Sequence, residues 1–242
     1  MHAAMLGTPE LVYSDEWLVV ANKPSGELTV PGWARGERTT MSNVRDLLGQ
    51  RVQPVHRLDR ATSGLVVLAR DAATTAAISQ AWQSSVKKGY VALVRGTIAE
   101  AGVIDHPVLR GEKGSERVPA LTHFRRLGRS EHARCSLVEA EPRTGRLHQL
   151  RRHFKHLSHP IVGDVRYGDG RVNREFREHW RLQRLALHAL WLELTHPVTG
   201  EPLRFRAPLP DDLLEPLSRL GLLAALDAAG DQGAGKSSTI AS

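Results

Sequence analysis

The sequence has a single cysteine, Cys135, among its 242 residues. A disulfide within the chain is therefore excluded, as is a zinc or redox motif of the CxxC type. No apolar run approaches the length needed to cross a bilayer. The first ten residues, MHAAMLGTPE, lack the basic start and apolar stretch of a signal peptide. We therefore expect a cytoplasmic protein with no membrane partner.

The charge balance is strongly basic. Lys and Arg number 33 against 26 Asp and Glu, which gives a formal net charge of +7 and a pI of about 10.1. The composition, 41% hydrophobic and 24% charged, is that of a globular chain long enough for a sizeable core. Basic chains of this kind often bind polyanions, and nucleic acid is the first candidate. A basic protein without such a partner has the same composition.

Many short strands and a few helices indicate the fold class. Strand patterns cover 10–21, 65–68, 90–96, 121–127, 134–141, 187–194 and 203–205, and helix patterns cover 42–48, 72–86, 145–157 and 211–226. The segment 163–178 is polar, basic and Gly-rich, and no element is assigned to it. We predict an α+β fold: one domain over 1–227, built on a large, mostly antiparallel mixed sheet flanked by helices.

The C-terminal segment, 228–242, lacks apolar periodicity and is expected to be a disordered tail. Within it, GDQGAGKS at 230–237 matches the phosphate-binding pattern G-x-x-x-x-G-K-[ST]. That mechanism requires a buried strand before the loop and a helix after it. An Ala/Gly-rich stretch precedes the match and five residues follow it, so we reject nucleotide binding there. No cofactor is expected.

The stretch 54–70, PVHRLDRATSGLVVLAR, concentrates charge beside a buried strand. His56, Arg57 and Arg60 surround Asp59, and four apolar residues follow at 65–68. Nearby cations keep a carboxylate ionised, as a carboxylate nucleophile requires. The alternative is a surface carboxylate paired with a neighbouring arginine, which contributes little to stability. From these residues alone the two interpretations have about equal weight.

The helix predicted at 145–157 carries an apolar stripe at Leu147, Leu150, Phe154 and Leu157. Arg151 lies at the edge of this stripe. A partly buried arginine needs a carboxylate partner, because an unpaired buried charge is strongly destabilising. The remaining basic residues are left for solvent or phosphates: Arg146, Arg152, His153, Lys155 and His156. A solvated basic face and an RNA-contacting face are both compatible with this pattern.

Four histidines, at 148, 153, 156 and 159, raise the question of a metal site. Their spacing is not that of HExxH, and no cysteine lies nearby. Imidazoles that stack on bases or contact phosphates suit a basic helix better. We predict no metal.

Three motifs, taken in order, resemble the RluA family of pseudouridine synthases. The family signature H-R-L-D followed by T-S-G is met at 56–64. The stretch 87–94, KKGYVALV, is similar to the one that carries the family's active-site tyrosine. The stretch 144–151, TGRLHQLR, resembles the third motif, and 159–164, HPIVGD, resembles its continuation. The resemblance spans about 11–208.

The resemblance implies that Asp59 is the nucleophile, that Tyr90 packs against the target base and that Arg151 pairs with Asp59. Leu150 would line the pocket, and Arg57 would help to hold the space left by a flipped base. The residues expected to contact the substrate or RNA are His56, Arg57, Leu150, Arg146, His148, Arg152 and Lys155. The implied reaction isomerises a uridine within RNA, with a base-flipping cost of a few kcal/mol that RNA contacts must offset.

Within the family, 163–188 is most similar to synthases that modify uridine 65 of tRNA. These enzymes lack an N-terminal S4 domain, and none is expected here. A 23S rRNA substrate, alone or with tRNA, is the alternative, and a non-catalytic RNA-binding module is a further one. We expect a monomer without an obligate protein partner. Glu27 departs from the family pattern, since relatives carry an apolar residue there.

Overall fold

A computed structural model describes residues 9–32, 37–82, 84–111 and 115–231. The strands are β1 (Glu10–Ser14), β2 (Leu18–Lys23), β3 (Gln53–Pro54), β4 (Ser63–Ala69), β5 (Lys87–Arg95), β6 (Ala101–Asp105), β7 (Val108–Leu109), β8 (Arg117–Val118), β9 (Leu121–Arg129), β10 (Cys135–Pro142), β11 (Leu187–Thr195) and β12 (Pro202–Arg206). The helices are α1 (Thr40–Leu48), α2 (Ala72–Ala81), α3 (Gln149–His156), α4 (Gly170–Trp180), α5 (Asp211–Arg219) and α6 (Leu223–Asp231).

One large sheet organises the fold. Its strand order is β1-β2-β4-β11-β5-β10-β9-β6, with β12 paired to β11 and β3 paired to β4. The pairing of β4 with β11 is parallel, and the other pairs in this sheet are antiparallel. Strands β7 and β8 form a separate hairpin. The predicted α+β fold with a mostly antiparallel mixed sheet is confirmed.

Strand β4 is buried on both faces, as its continuous apolar run predicts. Leu65 and Val67 point into a cluster that contains Ile78 of α2. Val66 and Leu68 point into a second cluster that contains Met41 and Val44 of α1. Helices therefore cover this half of the sheet on both sides. A third and larger cluster joins β5, β9, β10 and β11 to α3, α4, α5 and α6.

Gly64 is required where the two halves of the sheet meet. Ser63 and Gly64 pair in parallel with His188 and Ala189 of β11. Gly64 has φ +110, and a Cβ added to it would lie 2.2 Å from the Ala189 carbonyl oxygen. A side chain cannot fit in that space, so the Ser-Gly step of the T-S-G motif is what lets β4 approach β11.

Several helix boundaries differ from the predicted ones. Helix α2 ends at Ala81 rather than 86, and α3 begins at Gln149 rather than 145. Helix α4 was not predicted, although Asp169 caps it by accepting hydrogen bonds from two backbone N–H groups. The helix was not predicted because its sequence has few apolar residues and lies in a basic, Gly-rich stretch. The capping aspartate was the available signal.

The last predicted helix, 211–226, is two helices. Leu220 and Gly221 interrupt it, and Gly221 has φ +70, a conformation that ends α5 before α6 begins. Helix α6 reaches Asp231, past the expected domain end at 227. The rest of the expected tail, with most of the 230–237 phosphate-loop match, lies outside the described residues. Within those residues no helix is both long and apolar enough to span a membrane.

Candidate active site

Asp59 lies in the turn that joins β3 to β4, and this turn is tied to the end of β2. The Asp59 carbonyl accepts a hydrogen bond from the Thr62 N–H (3.0 Å), and the Arg60 carbonyl accepts one from the Gly26 N–H (2.8 Å). Lys23 Nζ also donates to the Arg60 carbonyl (3.1 Å). The Asp59 side chain remains 24% exposed, so its position is fixed while its carboxylate stays accessible.

Lys23 is a buried support for this turn that the sequence did not reveal. Its ammonium donates to the carbonyls of Glu27 (2.7 Å) and Arg60 as well as to that of the intervening Pro24. Burial lowers the pKa of Lys23 to about 7, although the charge of Glu27 opposes this. The Glu27 carboxylate is itself buried and accepts hydrogen bonds from Thr40 Oγ1 and Asn43 Nδ2. The polar residue at position 27 is therefore satisfied.

A cavity of about 540 Å³ opens beside Asp59. Its walls come mainly from the Asp59 turn, the start of β5 and the segment 142–151, with Trp82 and Leu187 completing them. The predicted site residues that line it are His56, Arg57, Asp59, Tyr90, Arg146, His148, Leu150 and Arg151. The sequence motifs, far apart in the chain, thus meet at one place. Arg152 and Lys155 do not line this cavity.

Arg151 is shared between two carboxylates. Its Nη1 lies 3.3 Å from Asp59 Oδ2, which is the pairing implied by the resemblance. Its Nε and Nη2 donate to Asp164 Oδ2 (2.7 Å) and Oδ1 (2.9 Å). Such a bidentate pair is the stronger interaction. The carboxylate partner that a buried arginine requires is therefore chiefly Asp164, a residue to which the sequence assigned no role.

Asp164 also fixes the turn that follows it. Its Oδ1 accepts hydrogen bonds from the backbone N–H groups of Arg166 (2.9 Å) and Tyr167 (3.0 Å). Burial acts to raise the pKa of Asp164, but the hydrogen bonds from Arg151 and the backbone hold that pKa below its ordinary value. Burial likewise acts against the charge on Arg151, but Asp164 and Asp59 raise the Arg151 pKa. Both groups stay ionised.

Tyr90 lies on β5, where it pairs with Ala140 of β10 and Ala189 of β11. Its ring is half-buried and lines the cavity. Burial raises the pKa of Tyr90 and the charge of Asp59 raises it further, so the hydroxyl stays protonated. Leu150 of α3 lines the same cavity and is 6% exposed. The two side chains give the cavity an aromatic and an aliphatic wall, which suits a flat base.

His148 explains why α3 starts late. Its backbone is left-handed, with φ 53, so the helix cannot extend back to 145. Its ring is turned toward Asp59: Nε2 lies 3.7 Å from Asp59 Oδ2, and Nδ1 lies 3.0 Å from the Tyr167 hydroxyl. Burial lowers the pKa of His148; the charge of Asp59 opposes this shift, and the charge of Arg151 adds to it. His148 therefore sits beside the Asp59 carboxylate as a neutral ring.

Gln149 holds the turn that bears His148. Its Oε1 accepts hydrogen bonds from Thr144 Oγ1 (2.7 Å) and the Arg146 N–H (3.1 Å). Its Nε2 donates to the Leu121 carbonyl and to Thr122 Oγ1, both at 3.0 Å. The buried Gln149 amide makes all of these hydrogen bonds, and they fix the turn that bears His148 onto β9. The left-handed conformation at His148 follows from this anchoring.

His56 is held by the protein rather than free for substrate. Its ring stacks on Trp82 with 4.2 Å between ring centroids. Its Nε2 accepts a hydrogen bond from the Val67 N–H (3.0 Å). Burial lowers the pKa of His56 to about 3, and the nearby Lys88 charge adds to this. The ring is a neutral wall of the cavity, and its contact with the substrate stays a prediction.

The basic residues divide into anchored and available groups. Arg152 donates to the carbonyls of Leu109 (2.7 Å) and Gly111 (2.9 Å) and to the Tyr167 hydroxyl (3.1 Å). The Arg152 guanidinium is therefore not left to solvent, and its contact with RNA stays a prediction. Arg146 donates only to the Pro119 carbonyl from its side chain (3.2 Å).

The exposed Arg57, at the cavity, and the exposed Lys155, on α3, form the available group. No side-chain hydrogen bond or ion pair joins either of them to another described residue. Both remain free to meet a polyanion, as the sequence predicts.

The other histidines of this region serve the structure. His153 contacts Thr122 Oγ1 (2.9 Å) and the His106 carbonyl (3.0 Å), and His156 stacks on His106. His159 contacts the Arg95 carbonyl (2.7 Å). In the part of the chain that the structure describes, no group of three or more His, Cys, Asp or Glu side chains could hold a metal ion.

Comparisons with known proteins identify the family. The family model described as RNA pseudouridylate synthase matches residues 17–156, more than half of the chain. A Salmonella typhimurium protein named tRNA pseudouridine synthase C is 41% identical over 88% of this chain and 90% of its own. A Vibrio cholerae protein of the same name is 42% identical over 88% of this chain and 96% of its own.

Solved structures give the same assignment. Human RNA pseudouridylate synthase domain containing 4 superposes with a TM-score of 0.72 at 28% identity, covering 88% of this chain and 93% of that one. The human domain-containing-1 protein superposes at 0.71 and 27% identity, covering 87% of each chain. With three ordered motifs meeting around Asp59, the chain belongs to the RluA-type RNA pseudouridylate synthase family and is an isomerase.

Proposed function

We propose that this chain converts uridine 65 of tRNA to pseudouridine, with Asp59 as the nucleophile. The observation that carries the chemical part is the position of the Asp59 carboxylate. It lies at a cavity walled by Tyr90 and Leu150, 3.3 Å from the Arg151 guanidinium. A charged, partly exposed carboxylate beside a base-sized cavity is the arrangement that nucleophilic catalysis on a flipped nucleotide needs.

The reaction needs no co-reactant. The N1–C1′ bond of the uridine breaks, the uracil turns within the cavity, and a C5–C1′ bond forms. The proton lost from C5 is balanced by the one that N1 gains. Asp59 assists by attack on the base or the sugar, or by removal of a sugar proton. In each case Arg151 stabilises the ionised carboxylate before the reaction.

Binding must supply the cost of extracting the base from its stack, a few kcal/mol. The charge of +7 and the free cations Arg57 and Lys155 favour a polyanion at the cavity mouth. Arg57 lines the cavity, where it can fill the place that the extracted base leaves in the RNA.

The activity is tested with RNA transcripts that carry 5-tritiated uridine. Formation of the C5–C1′ bond releases the tritium to water, so release measures turnover directly. We expect release from tRNA. If neither tRNA nor any rRNA fragment releases tritium, the proposed function is wrong.

The choice of tRNA is supported by relatives named tRNA pseudouridine synthase C. The choice of uridine 65 rests on the similarity of 163–188 to synthases of that site. A tRNA substrate also places the enzyme in the cytoplasm. The test is to map pseudouridines in tRNA and 23S rRNA from cells with and without the gene. Loss of pseudouridine at tRNA position 65 alone is expected. Loss at an rRNA position instead, or at both, would replace the proposal with the rRNA or dual substrate.

A further inference from the structure

A chain of polar contacts runs from the surface of the third motif to the reacting carboxylate. Arg152 Nε lies 3.1 Å from the Tyr167 hydroxyl, and that hydroxyl lies 3.0 Å from His148 Nδ1. His148 Nε2 then lies 3.7 Å from Asp59 Oδ2. The His148 side chain is only 11% exposed, so these contacts and not bulk water decide where its ring proton sits.

The direction of each hydrogen bond can be worked out from the end of the chain. The Arg152 guanidinium can only donate, so the Tyr167 oxygen is the acceptor there. The one hydroxyl proton of Tyr167 is then available for His148 Nδ1. If Nδ1 carried the proton instead, the Tyr167 proton would have no acceptor among residues 9–32, 37–82, 84–111 and 115–231. The ring proton of His148 therefore sits on Nε2, which faces Asp59.

Arg152 and Tyr167 are both held firmly enough to impose this arrangement. The Arg152 guanidinium is fixed by the carbonyls of Leu109 and Gly111. The Tyr167 backbone is fixed by Asp164, and its ring lies 5.1 Å from the guanidinium carbon of Arg151. Asp164 thus orients both donors that approach Asp59.

The two oxygens of Asp59 are treated differently. Arg151 Nη1 and His148 Nε2 both approach Oδ2, at 3.3 and 3.7 Å. Among the described residues no group donates a hydrogen bond to Oδ1. The distance from Nε2 is longer than a formed hydrogen bond, and contacts of this kind commonly shorten when substrate closes the site.

Resting on the proposed role of Asp59, we propose that His148 is a positioning residue for the Asp59 carboxylate. Tyr167 and Arg152 set the His148 tautomer that carries its proton on Nε2. This N–H and Arg151 together hold Asp59 Oδ2, and Oδ1 is left to react with the nucleotide. The neutral ring adds a donor without adding charge. A carboxylate that is hydrogen-bonded through one oxygen keeps its orientation while the uracil turns. Its other oxygen stays free of hydrogen-bond donors.

The tautomer is tested without substrate. In protein labelled with ¹⁵N-histidine, long-range ¹H–¹⁵N spectra distinguish a ring protonated at Nε2 from one protonated at Nδ1, and His148→Gln identifies the signal. We expect the Nε2–H form in the wild type and a mixture of both forms in Tyr167→Phe. An Nδ1–H ring in the wild type, or an unchanged ring in Tyr167→Phe, would overturn the proposal.

The role is tested kinetically on whichever RNA the wild type modifies. Tyr167→Phe should lower kcat roughly tenfold with KM within about twofold, because it removes an orientation and not a binding contact. The matched control is Tyr13→Phe, which removes a hydroxyl bonded to Asp15 Oδ2 far from the cavity and should leave kcat unchanged. An equal kcat in the two variants contradicts the proposal.

A second pair of variants distinguishes the hydrogen-bond donor of His148 from the space that its side chain fills. The amide of glutamine places a donor near the position of Nε2, whereas leucine has none. We expect His148→Gln to keep kcat within about threefold of the wild type and His148→Leu to lose roughly 10- to 100-fold. Equal losses in both would show that no donor is needed. If the wild type modifies no RNA, the proposed function fails while the tautomer result stands.

Discussion

Asp59 and Asp164 bind the same arginine and differ in nearly every other respect. The Asp164 side chain is fully buried, and its two oxygens receive two guanidinium and two backbone donors. The Asp59 side chain is 24% exposed and receives a single 3.3 Å contact from Arg151. Both oxygens of Asp164 are occupied by donors, whereas no described residue donates a hydrogen bond to Asp59 Oδ1.

The difference shows how one cation can serve structure and catalysis together. A buried arginine with only Asp59 as partner would be held by a weak, exposed contact. The bidentate pair with Asp164 offsets the desolvation cost of the Arg151 charge. Nη1 of Arg151 is left directed at Asp59. Because Asp164 also orients Tyr167, both sides of the Asp59 environment depend on a residue that does not line the cavity.

The largest expected effect is that of Asp59→Asn. The change is isosteric, so we expect RNA affinity to stay within about threefold while turnover falls by at least about a thousandfold. Since Arg151 keeps its bidentate partner Asp164 in this variant, the free energy of unfolding should change by less than about 1 kcal/mol. Tritium release, filter binding and urea denaturation measure the three quantities. Retained turnover would remove Asp59 from the nucleophile role.

Asp164→Asn should lower the free energy of unfolding much more than Asp59→Asn does. It leaves the buried Arg151 charge without its main partner, and breaking such a pair costs about 3–5 kcal/mol. Urea denaturation beside Asp59→Asn is the matched comparison, because both variants convert an aspartate that contacts the same guanidinium. A loss of similar size in the two variants would show that the carboxylates are not as different as their contacts indicate.

The sequence predicts some of this site and misses other parts for a physical reason. The apolar stripe of α3 gave Leu150 and the edge position of Arg151 because helical periodicity is local. The left-handed His148 was missed because it depends on Gln149 reaching Leu121 and Thr122 of a distant strand.

Asp164 was missed for a similar reason. The segment that carries it is held against β5 by the bridge between Ile161 and Val94. Tertiary contacts of this kind leave no periodic signal in the chain.

The stability of Asp164→Asn should depend less on pH in the acid range than the stability of the wild type does. The pKa of Asp164 is held below its ordinary value in the folded protein. Its contribution is therefore complete above that ordinary value, near 4, and is lost as the pH falls through the lowered pKa. Between about pH 5 and about pH 3, the urea midpoint of Asp164→Asn should fall less steeply than that of the wild type. A slope for Asp164→Asn as steep as that of the wild type would contradict the assignment.

The smallest effect concerns the cations of α3, where Arg152 is anchored and Lys155 is free. If Lys155 contacts a phosphate, Lys155→Ala should lower the slope of log K against log salt concentration by about 0.7–0.9. Arg152→Ala should leave that slope unchanged, because its guanidinium is already occupied by Leu109, Gly111 and Tyr167. Binding titrations over a range of salt concentrations, with both variants on the same tRNA, measure the difference. A reduced slope for Arg152→Ala with none for Lys155→Ala would mean that RNA binding releases Arg152 from its carbonyls, and the division between anchored and available cations would fail.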